Sequence, residues 1–215
     1  MKTIYLVRHA QSSANQKGIL AGQLPGYELS EDGKLQAEEL RLFFADKKID
    51  HAISSPLIRC KQTAQIAVRG KNVRLRTSKD FIEANYGDWS GKKISTLVRK
   101  PLWKDIQNNP STVVFPNGES MMSVFSRANL GLLNVVKSMK PKSSVIIFSH
   151  ADIIKGLLTN SMGASLDCFQ RVSIDPASIS TIVFQNNRPT IISTNIRVSP
   201  VSKLRSVNQP GGSIH

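Results

Sequence analysis

Four consecutive apolar residues, Val145 to Phe148, constrain this chain more than any other feature. A strand with one face in water alternates apolar and polar side chains, whereas an unbroken run is buried on both faces and belongs in the middle of a parallel sheet. Thr3 to Val7, rich in β-branched and aromatic residues, predicts another strand, and His51 to Ser54 a further one. Helix patterns alternate with them. Ser30 reads as an N-cap with Glu31 and Asp32 in the first turn, ahead of an apolar face of Ala37, Leu40 and Phe44. Pro56 suits the first turn of a helix whose inner face carries Cys60, Ala64, Ala67 and Val68. Met122, Phe125, Leu132, Leu133 and Val136, after FPNGES, mark a long amphipathic helix, and another starts near Asp152. Val73 to Leu75 predicts a short strand. Gly91 to Pro116 reads as short helical pieces and loop, broken by Pro101 and Pro110, and Ser178 to Phe184 and Thr190 to Thr194 flank QNNRP as a closing hairpin. The pattern is α/β.

A length of 215 residues with 40% hydrophobic content suits a single domain. Residues 1–195 are expected to form it. Residues 196–215, with Pro200, Pro210 and the Gly211-Gly212 pair and no periodicity, are expected to be a polar, mobile tail. The apolar run after Lys2 is too short for a signal peptide and is interrupted by Arg8, and no run approaches a membrane span. The expected location is cytoplasmic, without a membrane partner. Cys60 and Cys168 have no metal-ligand spacing and make no disulfide framework.

The net charge of +14, from 29 Lys and Arg against 15 Asp and Glu, favours anionic partners in general. These cations are dispersed, in Lys47 and Lys48, Arg69 to Arg76, Lys92 and Lys93, and Arg99 to Lys104, without interleaved aromatics or a nucleic-acid motif. A solvated basic surface is the favoured reading, and nucleic acid is not an expected partner.

His9 and His150 each follow immediately on an expected core strand. In an open α/β sheet, ligands bind outside the carboxyl ends of the strands, where residues distant in sequence can meet. Arg8 precedes His9, and Arg59 lies one turn into the helix after the second strand. Guanidinium groups stay charged and bind phosphate in a bidentate manner, so two arginines and two histidines at one sheet edge describe a phosphoryl site better than an acyl or metal site. Taken singly, Arg8 is equally a surface cation, Arg59 a helix-face charge, His150 a ligand of buried carbonyls and Glu83 a solvated loop carboxylate.

The segments LVRHAQSSAN, SSPLIRCKQTA, EANYGDWSG, PNGES and FSHADIIK, in this order, resemble the histidine phosphatase superfamily, the phosphoglycerate mutase-like enzymes. The resemblance covers nearly all of residues 1–195 and implies a three-layer α/β/α sandwich with a mostly parallel central sheet. It implies that His9 is transiently phosphorylated, that Arg8, Arg59 and His150 hold the transferring phosphoryl oxygens, and that Glu83 donates the proton to the leaving oxygen. Asn15 and the backbone near Gly22 match positions that line the phosphate pocket. The chemistry fits these residue types: a neutral imidazole attacks phosphorus, cations stabilise the equatorial oxygens, and a carboxylic acid serves an alkoxide leaving group and then activates water. No spacing suggests a metal, and no cofactor is expected.

Relatives often carry glycine where this chain has Ala10 and Ala151, and the added methyls are expected to narrow the pocket or shift a backbone amide. Glycolytic mutases carry a motif like E-R-x-Y-G-x-L, whereas Glu83 is followed here by Ala84, and no adjacent arginine pair occurs in Gly91 to Pro116. A phosphomonoester hydrolase is therefore favoured over a phosphomutase. A catalytically inactive module binding a phospho-ligand or nucleic acid is the alternative of a different class. The expected partner is a small phosphorylated substrate selected by the loops Gln16 to Tyr27 and Gly91 to Pro116, and a homo-oligomer is left open. Asp152 is either a competing acid or a first-turn helix residue, Tyr86 and Trp89 either line the entrance or pack, and His51 and His215 are read as structural or exposed.

Overall fold

The computed structural model describes residues 1–198, so the expected tail lies outside the described residues except for its first three. In chain order the elements are β1 (Lys2–Arg8), α1 (Ser13–Gln16), α2 (Glu31–Phe44), β2 (His51–Ser54), α3 (Ile58–Ala67), β3 (Leu75–Thr77), α4 (Ile94–Leu97), α5 (Pro101–Asn108), α6 (Met121–Ser138), β4 (Ser144–Ser149), α7 (Ala151–Ser161), β5 (Ile179–Gln185) and β6 (Arg188–Ile196). They form one six-stranded sheet in the order β3-β2-β4-β1-β5-β6. The pairs β3/β2, β2/β4 and β4/β1 are parallel, while β5 runs antiparallel to both β1 and β6.

β4 lies between β2 and β1 with all six residues buried. Its side chains divide with the period of two: Ile146 and Phe148 join Val7, Ala52, Leu40, Phe44 and Ala64 under α2 and α3. Val145 and Ile147 face Phe125, Leu132, Leu157 and Leu158 of α6 and α7 with Ile4 and Leu6. The unbroken apolar run therefore serves two cores, one in each helical layer, and the expected three-layer sandwich is observed.

Ser30 caps α2 through Oγ, which accepts from the Gly33 amide at 3.0 Å. A side chain at Gly33 would place a Cβ 1.9 Å from the Gln11 carbonyl oxygen, so the loop after β1 can cross the helix only at a glycine. Asn186 and Asn187, with φ of 50° and 61°, turn the closing hairpin between β5 and β6. β6 runs to Ile196, and Val198 packs on the apolar cluster beneath α2 and α3.

Several expectations shift. Pro56 precedes the helix rather than starting it: Leu57 is extended and caps α3, which begins at Ile58. Pro101 and Pro110 begin helical turns instead of breaking them, since the first helical position needs no amide hydrogen. β3 falls two residues later than expected, its position set by pairing Ala52 with Leu75 and Ser54 with Thr77. On α6 the core face is Met121, Val124, Phe125, Ala128, Leu132 and Val136, whereas Met122 and Leu133, each one residue out of phase with it, are 48% and 46% exposed. Among the described residues no helix is long and apolar enough to cross a membrane.

Candidate active site

Parallel pairing places Arg8 opposite Ser149, so the next residues, His9 and His150, leave the sheet side by side. The His9 amide donates to the Ser149 carbonyl at 2.9 Å, and the two imidazole centroids are 5.3 Å apart. β2 ends beside them. Ser54 pairs with Phe148, and Ser55 presents its Oγ 2.8 Å from His150 Nε2. The first turn of α3 returns Arg59, whose Nη2 donates to the Gly22 carbonyl at 2.8 Å and lies 3.3 Å from His150 Nδ1. Because a guanidinium only donates, Nδ1 of His150 accepts and Nε2 carries the hydrogen toward Ser55.

The same reasoning fixes His9. Its Nδ1 lies 2.8 Å from the Ala10 carbonyl, which only accepts, so Nδ1 holds the hydrogen and Nε2 keeps a free lone pair. Ala10 is itself tied down, its amide donating to Thr63 Oγ1 at 3.0 Å while Thr63 donates to the Arg59 carbonyl at 2.7 Å. One threonine thus couples the His9 segment to the Arg59 turn. The Ala10 methyl is fully buried in the α2–α3 core, and Ala151 belongs to the opposite core. Both methyls pack in the cores on either side of the sheet.

Arg8 donates through Nη1 to the Ile174 carbonyl at 2.7 Å and is 5% exposed; Arg59 is 3% exposed. Arg8 Nε and Arg59 Nη1 are buried without a hydrogen-bond partner among the described residues. Unpaired buried donors on cations are costly, and an anion with several acceptor oxygens would satisfy both.

Glu83 comes from the segment after the 3-10 turn Lys79–Phe81, which is firmly held. Ser149 Oγ donates to the Phe81 carbonyl at 2.8 Å, and Arg127 Nη1 lies 3.0 Å from the carbonyls of Lys79, Asp80 and Ile82. Gln23 Nε2 donates to the Glu83 carbonyl at 2.7 Å. The Glu83 carboxyl accepts from the Ala84 amide at 3.1 Å through Oε1, and Oε2 lies 3.7 Å from His150 Nδ1.

The electrostatics follow from burial among cations. Burial first, then Arg59 and Arg8, hold the His9 imidazole well below its usual range, so it is neutral at pH 7. Burial, Arg59, His9 and Arg8 do the same to His150. Glu83 moves the other way: burial, then the Asp152 charge, push it up to about 7 against the pull of Arg59, the Ala84 amide and Arg8. An imidazole with a free lone pair, two cations and a carboxyl that can hold or release a proton near neutrality converge at one sheet edge.

Asn15 lies in α1, and Gly22 in the loop between α1 and α2. Asn15 Oδ1 accepts from the Ser12 amide at 3.0 Å and from Ser12 Oγ at 2.9 Å, and no hydrogen bond joins it to Arg8, His9, Arg59 or His150 among the described residues. Gly22 contributes its carbonyl to Arg59; its φ of +53°, and a Cβ position 2.8 Å from Ser90 Oγ, require glycine. Tyr86 and Trp89 are 4% and 6% exposed and pack on Phe115. Asp152 sits in the first turn of α7, and His51 is exposed.

Ser55, Thr63 and Gln23 were not singled out in the sequence, and Cys60 was read only as an inner-face residue without metal or disulfide chemistry. Ser55 and Thr63 flank Arg59 within its own motif at intervals of four, and that spacing was the available signal. Gln23 has no local signal. Cys60 Sγ lies 3.5 Å from His150 Nε2, and burial pushes its thiol up to about 12, so it remains neutral packing against the imidazole.

A family model of the histidine phosphatase superfamily (branch 1) matches residues 4–197, and the chain belongs to that superfamily. It is similar to phosphoserine phosphatase 1 of Hydrogenobacter thermophilus, 32% identical over 198 residues that cover 91% of this chain and 93% of that one. It is also similar to phosphoglycerate mutase-like protein 4 of Arabidopsis thaliana, 29% identical over 159 residues, 72% of this chain and 68% of that one. Among solved structures, YhfR of Bacillus stearothermophilus superposes with a TM-score of 0.86 at 20% identity, covering 93% of this chain and 100% of that one, and shares the fold.

Proposed function

We propose that this protein is a phosphomonoester hydrolase that works through a phosphohistidine at His9. The observation that carries the reading is the tautomer of His9: its Nδ1 is committed to the Ala10 carbonyl, leaving Nε2 bare beside two buried arginines with unpaired donors. In the first step Nε2 attacks phosphorus in line and the P–O ester bond breaks. The departing oxygen takes the Glu83 proton. Arg8 and Arg59 spread over the equatorial oxygens, His150 orienting the Arg59 guanidinium from a ring held by Ser55, and charge stabilisation of this kind is the main catalytic term. In the second step the Glu83 carboxylate takes a proton from water, the oxygen attacks phosphorus, and the P–N bond breaks to release phosphate and neutral His9.

Hydrolysis is favoured over mutase chemistry at a specific position. Ala84 is fully buried in the core, so the residue after Glu83 offers no cation for a substrate carboxylate. The substrate proposed is a small phosphorylated molecule, with phosphoserine the first to try because a relative bears that name. Phosphate release from a panel of phosphomonoesters without added metal tests the reading. Release by the wild type and none by His9→Ala is expected; interconversion of 3-phosphoglycerate without release would establish the mutase instead.

A further inference from the structure

The segment carrying Glu83 and the helix following His150 are joined by one side-chain hydrogen bond. The hydroxyl of Tyr86, three residues beyond Glu83, donates to Asp152 Oδ2 at 2.8 Å. Asp152 lies in the first turn of α7, two residues beyond His150, where the helix dipole favours negative charge. Tyr86 is 4% exposed, its ring edge-on to Phe115 at 4.9 Å, and its Cδ2 lies 3.1 Å from where a Cβ on Gly22 would be. Packed elements therefore hold both ends of the bond. The reaction needs Glu83 twice, first as an acid, and nothing in that chemistry yet accounts for Asp152.

We propose that Asp152 is a positioning residue for the proton donor: its bond from Tyr86 fixes the Glu83 segment against α7 and sets a carboxylate there to oppose the arginines that act on the donor. This rests on the assignment of Glu83 as that donor. The groups acting on Glu83 are Arg8 from β1, Arg59 and Cys60 from α3, His150 from the end of β4, Tyr86 from its own loop, and Asp152 and Lys155 from α7. Arg8 and Arg59 favour the carboxylate, and Asp152 opposes them. Without its charge only burial opposes the arginines, and the acid form is less populated at neutral pH.

Asp152→Asn keeps an oxygen for the Tyr86 hydroxyl and removes the charge, whereas Tyr86→Phe removes the bond and keeps the charge. In Asp152→Asn the basic limb of the kcat/KM profile, which reports loss of the Glu83 proton, moves to lower pH by on the order of one unit, and Asp152→Glu returns it toward the wild-type position. Tyr86→Phe lowers kcat severalfold and leaves the limb in place. A limb in Asp152→Asn that superposes on wild type overturns the charge role, and an unchanged kcat in Tyr86→Phe overturns the positioning role. Glu83→Gln separates the two levels. If it keeps wild-type activity, the proton-donor assignment fails; if it is inactive while Asp152→Asn has an unchanged profile, only the role of Asp152 fails.

Discussion

Between α6 and α7 runs a groove of about 420 Å³ lined by Met122, Phe125, Leu130, Leu133, Thr159 and Leu166 among others. At the carboxyl ends of β1 and β4 lies the constellation of Arg8, His9, Arg59 and His150. Each region holds buried polar atoms without partners among the described residues: Asn129 Oδ1 and Thr159 Oγ1 in the groove, Arg8 Nε and Arg59 Nη1 at the sheet edge. Their chemistry differs. The groove's orphans are neutral oxygens on two neighbouring helices, and burying such a group costs about 1–3 kcal/mol. The sheet-edge orphans are cationic donors from separate elements, and they frame the His9 imidazole, whose Nε2 lone pair is free. The proposed chemistry follows the convergence of charge, not volume or apolar lining.

The contrast is broken most severely at His9. His9→Ala should lower phosphate release by at least about 10⁴-fold in a steady-state assay, because the other imidazole at the sheet edge, His150, has both ring nitrogens engaged by Arg59 and Ser55. Activity above that level would mean that the arginines and Glu83 act on a directly attacking water.

Glu83→Gln should lower kcat by about 10²–10⁴-fold and, in the same protein, raise stability at high pH. The folded carboxyl is pushed up from 4.5 to about 7. A raised value means that folding favours the protonated form, so this stability is present below the unfolded pKa and is lost as pH rises through about 7. The glutamine, always neutral, should therefore melt like the wild type at pH 4 and gain on the order of 3 kcal/mol above pH 7, readable by chemical denaturation at the two pH values.

Arg59→Lys should lower kcat/KM by about 10²–10³-fold, since an ammonium cannot reach the Gly22 carbonyl, His150 and a phosphoryl oxygen together. The smallest effect belongs to the groove. Leu130→Ser with Leu133→Ser should leave kcat/KM within about twofold and stability within about 1 kcal/mol, because both side chains are largely exposed. A large loss of turnover there would erase the distinction between the two regions.

The constellation was legible in the sequence because strand ends can be read from it. Val145 to Phe148 can be buried on both sides only in a central strand, which puts His150 at a sheet edge, and the run from Thr3 to Val7 does the same for His9. Arg59 was legible through its motif. What sequence could not show was register. The pairing of Arg8 with Ser149, and the return of α3 that brings Ser55 and Thr63 to the imidazoles, depend on how strands slide against one another. The direction of the methyls of Ala10 and Ala151 was equally hidden, since they follow backbone geometry rather than residue type. On α6 two apolar stripes compete, and only packing against the sheet decides that Met122 and Leu133 face outward.

The most direct test of the chemistry is to quench the enzyme during turnover of a phosphomonoester and locate covalent phosphate by peptide mass spectrometry at alkaline pH, where phosphohistidine survives. One phosphoryl group on the peptide containing His9, present in the wild type and absent in His9→Ala, is the predicted result. Turnover with no label on His9, or label that persists in His9→Ala, would contradict a phosphohistidine at this position.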